Sequence, residues 1–496
     1  MNELEHESTD STLLDPVEPR AVVTASSSSD LYEVPHFTRS ERMARGRAAR
    51  AELTRSVHAG WEPAPLRRNP IELLEEQAQT RLPELIPIRY GRMVESPFAF
   101  FRGGAFLMAA DLAAGPRTGL HAQLCGDAHL SNFGVFAAPD RRLVFSISDF
   151  DETLRGPFEW DVKRLAASFA VAGREFGYDE GTRRAMVLDT VREYRQAMAS
   201  FATMRNLDVW YTRLDVAGTI AGFGSRVSPK NLRQLQSKIA PTRTKDAMRA
   251  LAKLCTSVDG ELRFVGRPPL ITPIEDVLPG AEKEHFEHTI RDMIATYSRS
   301  LPGDRRALLE SYRYVHAARK VVGVGSVGTR AWVVLLLGHD ESDPLFLQFK
   351  EAQASVLEPF LGKSPFEQHG QRVVEGQRMM QAASDIMLGW ERVVAIDGET
   401  KDFYIRQLWD AKASAEIELM NAAALRAYGR ACGWTLARAH ARSGDRVAIA
   451  AYLGSGEVFD RAMATFAEAY ADQNDRDYTA LRDAVASGVV AAQTGV

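Results

Sequence analysis

The sequence predicts an α+β protein of two lobes, one large and helical and one small and rich in β-strands. Three observations predict this fold class. Residues 46–310 contain long stretches of helical apolar spacing around two short β-type segments. Residues 311–412 carry Val- and Leu-rich β-type segments separated by glycines and polar turns. Residues 413–496 return to helical spacing, so we expect the last helices to complete the large lobe.

The elements before residue 310 follow from composition and periodicity. Residues 1–45 predict a disordered tail, because they include ASSSSD and few residues that could form a core. An Arg-rich helix is expected at about 41–57. Strands are predicted in HAQLCGD and RRLVFSISDFDE, which surround the loop HLSNFG. Helices follow in WDVKRLAASFAVAGREFG and in residues 182–205.

The small lobe is expected to open with RKVVGVGSVGTRAWVVLLLG, a β-type run interrupted by glycines. After the turn HDESDP come a strand in LFLQFK and a helix in GQRVVEGQRMMQAASDIM. The strands ERVVAI and DFYIRQL then surround the turn DGETKD. The helix AYGRACGWTLARAHARSGD marks the return to the large lobe.

Composition excludes several classes of protein. Of 496 residues, 45% are hydrophobic and 25% charged, which is ordinary for a globular protein. Lys and Arg number 61 against 65 Asp and Glu, so the net charge of −4 favours neither nucleic acid nor an anionic membrane as partner. Three widely spaced cysteines form no disulfide framework. Without a secretory leader or a membrane-length apolar run, we expect a soluble, cytoplasmic protein.

The stretch CGDAHLSNFG contains residue types that phosphoryl transfer requires. Asp127 and Asn132 lie five positions apart, so a short loop can direct both side chains into one cleft. A carboxylate there can accept the proton of an attacking hydroxyl, and an amide oxygen can help to hold Mg²⁺. Asp149 and Asp151, at the end of the next strand, offer metal carboxylates. Taken alone, the same spacing is as well explained by an Asx-type turn.

A candidate nucleotide site lies two hundred residues downstream. Gly323, Gly325 and Gly328 form a G-x-G-x-x-G pattern, with Ser326 inside it, between two β-type segments. Strand–turn–strand is the setting of a kinase glycine loop, whereas a dinucleotide fold requires strand–turn–helix. Lys350, near the end of the next strand, could bind phosphate oxygens.

Two neighbours of this site each have more than one interpretation. Glu375, on the following helix, could hold Lys350, although Glu351, Glu358 and Glu367 compete for that role. Arg102 in FFRGGA is either an anion contact or a helix-packing residue.

Other chemistries find less support in the sequence. The segment LGKS is not the end of a P-loop, because the first glycine of that motif would fall on Leu357. The histidines have no zinc-ligand spacing, and no G-x-S-x-G motif indicates a hydrolase.

Several long blocks, among them RMVESPFAFFRGGA, CGDAHLSNFG, SDFDETLRGPFEWDVKRLAAS and VVEGQRMMQAASDIMLGW, resemble the uncharacterised bacterial family DUF2252. More distantly, the chain is similar to aminoglycoside-phosphotransferase-like kinases, whose catalytic loop reads H-G-D-x-H-x-x-N. Gly126, Asp127, His129 and Asn132 match that loop, and Cys125 replaces its leading His. The resemblance implies that Asp149 is the metal carboxylate and that Asp161 has a structural role.

In a kinase-like fold the glycine loop and lysine precede the catalytic loop, whereas here they follow it. The resemblance therefore implies a circularly permuted, two-lobed kinase-like fold with residues 311–412 as the small lobe. Backbone groups around Arg406, Gln407 and Leu408 would then form a hinge that pairs with adenine. An unrelated β-turn at the glycines is the competing interpretation.

These observations lead to the hypothesis of a phosphotransferase that uses ATP and Mg²⁺ and acts on a small-molecule or protein hydroxyl. Residues 180–310 are expected to shape the acceptor pocket. Two alternatives stay open: transfer of AMP from a nucleotide bound in reverse, and a non-catalytic ATP-binding regulator.

Overall fold

A six-stranded antiparallel sheet and a large set of packed helices make up the fold. The computed structural model describes residues 36–216, 247–278, 280–321, 323–394, 398–408 and 413–495. Residues Phe37–Val496 form one compact unit.

The helices within the described residues are α1 (Arg39–Glu52), α2 (Pro70–Ala78), α3 (Ile86–Met93), α4 (Pro97–Gly103), α5 (Ala105–Ala113), α6 (Phe158–Glu175), α7 (Glu180–Phe201), α8 (Asn206–Tyr211), α9 (Ala247–Leu254), α10 (Ile274–Val277), α11 (Ala281–Tyr297), α12 (Gly303–Glu310), α13 (Glu358–Leu361), α14 (His369–Met380), α15 (Ala422–Ser443), α16 (Arg446–Leu453) and α17 (Val458–Ala486). Short 3₁₀ turns include Leu130–Asn132 and Val324–Ser326.

The strands within the same residues are β1 (His121–Leu124), β2 (Phe133–Ala137), β3 (Leu143–Ile147), β4 (Leu154–Pro157), β5 (Leu214–Asp215), β6 (Cys255–Val258), β7 (Glu261–Phe264), β8 (Ile271–Pro273), β9 (Arg313–Lys320), β10 (Ala331–Leu337), β11 (Pro344–Ala352), β12 (Gly389–Val394), β13 (Thr400–Gln407) and β14 (Ala413–Ser414).

The main sheet has the order β12-β13-β11-β10-β9-β8, and each neighbouring pair is antiparallel. Alternating side chains cover its two faces, as the period of a strand requires. On β10, Val334 and Leu336 join one core, whereas Val333 and Leu335 join another on the opposite face. The central strand β11 is buried along its whole length, including its polar residues Gln348, Lys350 and Glu351.

The helices pack around a separate and larger core. The long helices α7 and α15 lie close together because α15 presents glycines to its partner. A Cβ added at Gly433 would lie 2.1 Å from the Thr190 carbonyl oxygen, and one at Gly429 would lie 2.2 Å from the Thr190 hydroxyl. Side-chain caps set the starts of both helices, Asp179 for α7 and Asn421 for α15.

The mixed content of helices and strands confirms the predicted α+β class. Strands and helices also occur where the sequence predicts them around the loop HLSNFG and from β9 to β13. No helix of the described residues combines the length and the apolar character that crossing a bilayer would require.

Two predicted boundaries need correction. Helix α1 begins at Arg39, inside the predicted tail of residues 1–45, because Thr38 and Glu41 form a reciprocal capping box there. Residues 1–35 of that tail lie outside the described residues. The main sheet also begins before residue 311, since β8 pairs with β9, and Ile290 and Tyr297 of α11 pack on one face.

Candidate active site

A cleft of about 740 Å³, partly open to solvent, lies between the glycine loop and the loops around Asp127 and Asp149. Its walls carry both cations and carboxylates. The lining residues are Gln77, Arg102, Gly103, Ala105, Asp127, His129, Asn132, Asp149, Asp151, Glu152, Gly323, Val324, Gly325, Ser326, Lys350 and Arg406.

The loop after β1 is held in place by a buried carboxylate. Asp161, in the first turn of α6, accepts hydrogen bonds from the backbone N–H groups of Cys125 (2.8 Å) and Gly126 (3.1 Å). His440 of α15 lies 3.2 Å from the same carboxylate. Gly126 has a φ of +82°, and a Cβ there would come within 2.2 Å of the Glu152 carbonyl oxygen. The backbone path that presents Asp127 therefore depends on this glycine.

Asp127 is oriented by an arginine and by its own loop. Arg164 donates from Nε to Asp127 Oδ1 at 2.6 Å, and Asn132 Nδ2 donates to the Asp127 carbonyl at 2.8 Å. Burial raises the pKa of Asp127, although the charges of Arg164 and Arg102 oppose the shift. The second oxygen, Oδ2, lies 3.7 Å from His129 Nε2. Asp127 thus has one oxygen fixed and one that faces the cleft.

His129 is a neutral imidazole with a defined proton position. Burial, together with the charges of Arg102 and Arg164, lowers the pKa of His129 well below its ordinary value. Its Nδ1 accepts the N–H of Ser131 at 3.2 Å, so the ring proton resides on Nε2. His129 can therefore donate a hydrogen bond beside Asp127.

Asp149 and Asp151 follow β3 and have different environments. The Asp151 N–H donates to Asp149 Oδ1 at 3.1 Å. Burial and the charge of Asp151 raise the pKa of Asp149. Burial would also raise the pKa of Asp151, but Lys350 and Tyr404 lower it to about 2. Asp151 is therefore the firmly ionised member of the pair.

Asp151 also binds the opposite wall of the cleft. Its Oδ1 accepts from the Tyr404 hydroxyl at 2.8 Å. Its Oδ2 accepts from Lys350 Nζ and, at 3.0 Å, from the Ser326 hydroxyl. Lys350 donates to Ser326 Oγ at 2.7 Å. One carboxylate thereby connects the β11 lysine, the glycine loop and β13.

The glycine loop between β9 and β10 lies directly over Asp127. A Cβ added at Gly325 would lie 3.7 Å from the Arg102 carbonyl oxygen and 4.0 Å from Asp127 Oδ2. Arg81 holds the loop from outside, donating to the carbonyls of Gly325, at 2.9 Å, and Val327.

The cleft brings together eight of the side chains and glycines predicted from sequence. They are Asp127, Asn132, Asp149, Asp151, Gly323, Gly325, Ser326 and Lys350. The role of Asp151 as a metal ligand stays a prediction; in this structure its two oxygens accept hydrogen bonds from Lys350, Ser326 and Tyr404.

The structure puts two other predicted residues in different roles. Glu375 pairs with Arg378 at 3.1 Å rather than with Lys350, because the lysine is satisfied by Asp151. Gly328 has a φ of +95° and packs against Arg81, where a Cβ would come within 2.9 Å of the Arg81 Cβ. Gly328 thus shapes the loop from outside the cleft lining.

The predicted adenine hinge is already hydrogen bonded within the protein. The Gln407 N–H donates to the Asp385 carboxylate, and the Leu408 N–H donates to the Phe346 carbonyl at 2.9 Å. These two N–H groups therefore have protein partners in this structure, and the pairing of this segment with adenine stays a prediction.

The structure adds functional residues that the sequence did not identify. Arg372 of α14, 2% exposed, donates to the carbonyls of Asp151 (2.8 Å), Thr153 (2.7 Å) and Gln353 (2.7 Å). A buried arginine that binds three carbonyls fixes the loop after Asp149 against the end of β11. Its only sequence signal is its place on the apolar face of a helix.

Arg406 and Glu152 line the cleft as well. Arg406 donates from Nε to Gln348 Oε1 at 3.1 Å and stacks near the Tyr404 ring at 5.7 Å. Burial raises the pKa of Glu152 to about 7, and its Oε2 accepts from the Val356 N–H at 2.8 Å.

The donor atoms for a divalent cation are an amide and one carboxylate. Asn132 uses Nδ2 toward the Asp127 carbonyl, so its Oδ1 stays available, and Asp149 uses only Oδ1 toward Asp151. Oxygen donors of this type fit Mg²⁺, which keeps several waters and binds substrate phosphates. The described residues contain no group of three His, Cys, Asp or Glu side chains that would hold a metal by themselves.

Comparison with known proteins identifies one family. The model of DUF2252, described as an uncharacterised protein conserved in bacteria, matches residues 81–484. No curated protein and no solved structure matches the chain.

Proposed function

Since the chain belongs to the bacterial family DUF2252, whose description names no reaction, we propose a function from the cleft itself. The protein is a phosphotransferase that uses ATP and Mg²⁺ and acts on the hydroxyl of a small molecule or a protein. Its fold is a two-lobed, circularly permuted, kinase-like one.

One observation carries the proposal. Lys350 and Asp151 are 199 residues apart in sequence and form an ion pair inside the cleft that Asp127 and Asn132 also line. A candidate phosphate-binding lysine, a glycine loop, a candidate base and metal-ligand oxygens thus face one space. Phosphoryl transfer needs these four components together.

Asp127 accepts the proton of the acceptor hydroxyl in this mechanism. The hydroxyl oxygen forms a bond to the terminal phosphorus of ATP as the bond from that phosphorus to the ADP oxygen breaks, and the proton moves to Asp127 Oδ2. A pKa raised by burial suits this role, because a stronger base removes a hydroxyl proton more readily. Arg164 keeps Oδ2 directed toward the cleft by binding Oδ1.

Asn132 Oδ1 and Asp149 Oδ2 would hold Mg²⁺, which neutralises phosphate charge when bound. Lys350 and the N–H groups of the glycine loop bind phosphate oxygens. Lys350 is protonated, because Asp151 raises its pKa against the effect of burial. Nucleotide phosphates must compete with Asp151 for this lysine.

The order of elements supports the permuted kinase-like fold. One antiparallel sheet contains the glycine hairpin β9–β10, the lysine strand β11 and the hairpin β12–β13, which follow one another in the chain. Helix α14 lies between β11 and β12 in sequence. Helix α15 then packs behind the candidate catalytic loop, because its His440 contacts Asp161, the carboxylate that holds this loop.

The proposal is tested by ATP binding and consumption in matched variants. Mg²⁺–ATP is expected to raise the melting temperature of the wild-type protein and of Asp127→Asn, but not of Asp149→Ala. A screen of ATP consumption against pooled hydroxyl compounds should find activity that falls about 10²–10⁴-fold in Asp127→Asn. Full activity in that variant would remove Asp127 from the mechanism.

ATP labelled at the α- or the γ-phosphorus distinguishes the alternatives. Label from the γ position in the product supports phosphoryl transfer, whereas label from the α position identifies an AMP transferase. Stabilisation by ATP without consumption of any pool would favour a non-catalytic regulator.

A further inference from the structure

Arg102, in the last turn of α4, is a cation that lines the cleft. Its Nε is buried and donates no hydrogen bond within the described residues. The side chain lines the cleft beside Gly103 and Asp127.

The carboxylate of Asp127, on which the charge of Arg102 acts, is already paired with another arginine. Asp127 pairs through Oδ1 with Arg164. The buried Nε–H group of Arg102 has lost water without gaining a partner among the described residues, and this costs free energy. An anionic ligand would remove that cost.

The cations of the cleft act on different carboxylates. The charges of Lys350 and Arg406 oppose the raised pKa of Asp149, whereas those of Arg164 and Arg102 oppose the raised pKa of Asp127, the candidate base. Arg102 lines the cleft together with Asp127 and His129, and its carbonyl lies near the glycine loop, since a Cβ added at Gly325 would be 3.7 Å from that oxygen.

We propose that the acceptor is an anionic alcohol whose phosphate or carboxylate group is bound by Arg102. This inference rests on the proposed function and deepens it. Arg102 binds the anion, His129 Nε2–H donates to the acceptor, and the hydroxyl is presented to Asp127 Oδ2. A neutral acceptor would leave the Arg102 guanidinium unpaired in the complex, which binding disfavours.

The test measures anion binding while a non-hydrolysable ATP analogue and Mg²⁺ saturate the nucleotide site. The probes are inorganic phosphate, glycerol 3-phosphate, glycerate and neutral glycerol, titrated by calorimetry at constant ionic strength. The wild-type protein is expected to bind glycerol 3-phosphate or glycerate at least about tenfold more tightly than glycerol. Arg102→Ala should abolish that preference, and Arg102→Lys should restore part of it.

Arg313→Ala provides the matched control, because Arg313 is exposed at the start of β9. It should leave both anion and nucleotide binding unchanged. Arg102→Ala should also bind the ATP analogue with nearly wild-type affinity, because Lys350 and the N–H groups of the glycine loop bind the nucleotide phosphates.

The outcomes separate this inference from the proposed function. Loss of ATP-analogue binding in Arg102→Ala, or equal binding of glycerol and the anions by the wild-type protein, would overturn the anion site. Anion binding that depends on Arg102 in a protein that binds no ATP supports the anion site and refutes the phosphotransferase. Preference for glycerol 3-phosphate over glycerate identifies a phosphorylated acceptor, and the reverse identifies a hydroxy acid.

Discussion

At the scale of single residues, Asp151 is the most connected group of the cleft, because it binds Lys350, Ser326 and Tyr404 at once. The two charges of the Lys350–Asp151 pair stabilise each other in a site largely removed from water. Removing one member of such a pair costs more than removing both, because it leaves the other charge uncompensated.

Lys350→Met is therefore expected to lower the free energy of unfolding by about 3 kcal/mol without nucleotide. The double variant Lys350→Met/Asp151→Asn should be less destabilised than the sum of the single variants. Urea unfolding of the four proteins measures this coupling energy. Additive effects would mean that the pair contributes little to the folded state.

Glu152 predicts a dependence of stability on pH. Its pKa rises from about 4.5 in the unfolded chain to about 7 in the folded protein, because burial disfavours the carboxylate. The fold favours the protonated form of Glu152. Its contribution to the free energy of unfolding is therefore fully present below pH 4.5 and is lost as the pH rises through 7.

Glu152→Gln should therefore gain stability relative to the wild type between pH 5 and pH 8, by about 1–3 kcal/mol. Melting temperatures of both proteins across that range measure the effect. The amide can keep accepting the Val356 N–H, so its packing is preserved. If the difference in melting temperature between the two proteins were the same at all pH values, Glu152 would not be the group that titrates in this range.

The sequence identifies site residues when they are neighbours in the chain. Asp127, Asn132 and Asp149 are recognisable because short spacing predicts their proximity. The sequence left the partner of Lys350 open among Glu375 and three other glutamates, and the structure pairs it with Asp151. The choice between carboxylates depends on the rotation of α14 and on the path of a loop 199 residues away. Arg102 and Arg372 have no spacing signal at all.

At the scale of elements, the close approach of α15 to α7 depends on glycines. Gly433→Ala would force a Cβ to within 2.1 Å of a backbone carbonyl, and the helices must separate. We expect a loss of more than about 2 kcal/mol in the free energy of unfolding. Gly303→Ala, where a Cβ meets no atom within 4 Å, is the matched control and should change stability by less than about 1 kcal/mol.

Gly325 differs from Gly433, because a Cβ there meets only ordinary contacts. Gly325→Ala should keep wild-type stability while it narrows the space above Asp127 Oδ2. We expect affinity for a small acceptor to fall more than affinity for ATP. Titration with each ligand measures the two changes in affinity. Equal losses of affinity would indicate that the loop contacts only the nucleotide.

Element types were well predicted wherever apolar periodicity was strong, as for β10, β11 and α15. The extent of the main sheet was not well predicted. Strand β8 extends the sheet at its edge and helix α11 packs on one face, but the sequences of both segments carry mixed patterns.

At the scale of the whole molecule, Arg372 and Arg81 connect the main sheet and its glycine loop with the helical part. Arg372 binds Asp151 and Gln353, which belong to opposite sides of the cleft. Arg372→Met should therefore speed amide hydrogen exchange in residues 149–153 and 323–328, with α15 unchanged. Uniform acceleration throughout the chain would instead indicate general destabilisation by the unsatisfied carbonyls.

The contact of His440 with Asp161 joins residues that are 279 positions apart. On a ribosome that adds about 5–20 residues per second, roughly 15–55 seconds pass between the synthesis of these two residues. The apolar surface of α7 that α15 covers therefore stays exposed on the nascent chain until α15 has been synthesised. We expect chains truncated before α15 to aggregate, because that surface then has no partner.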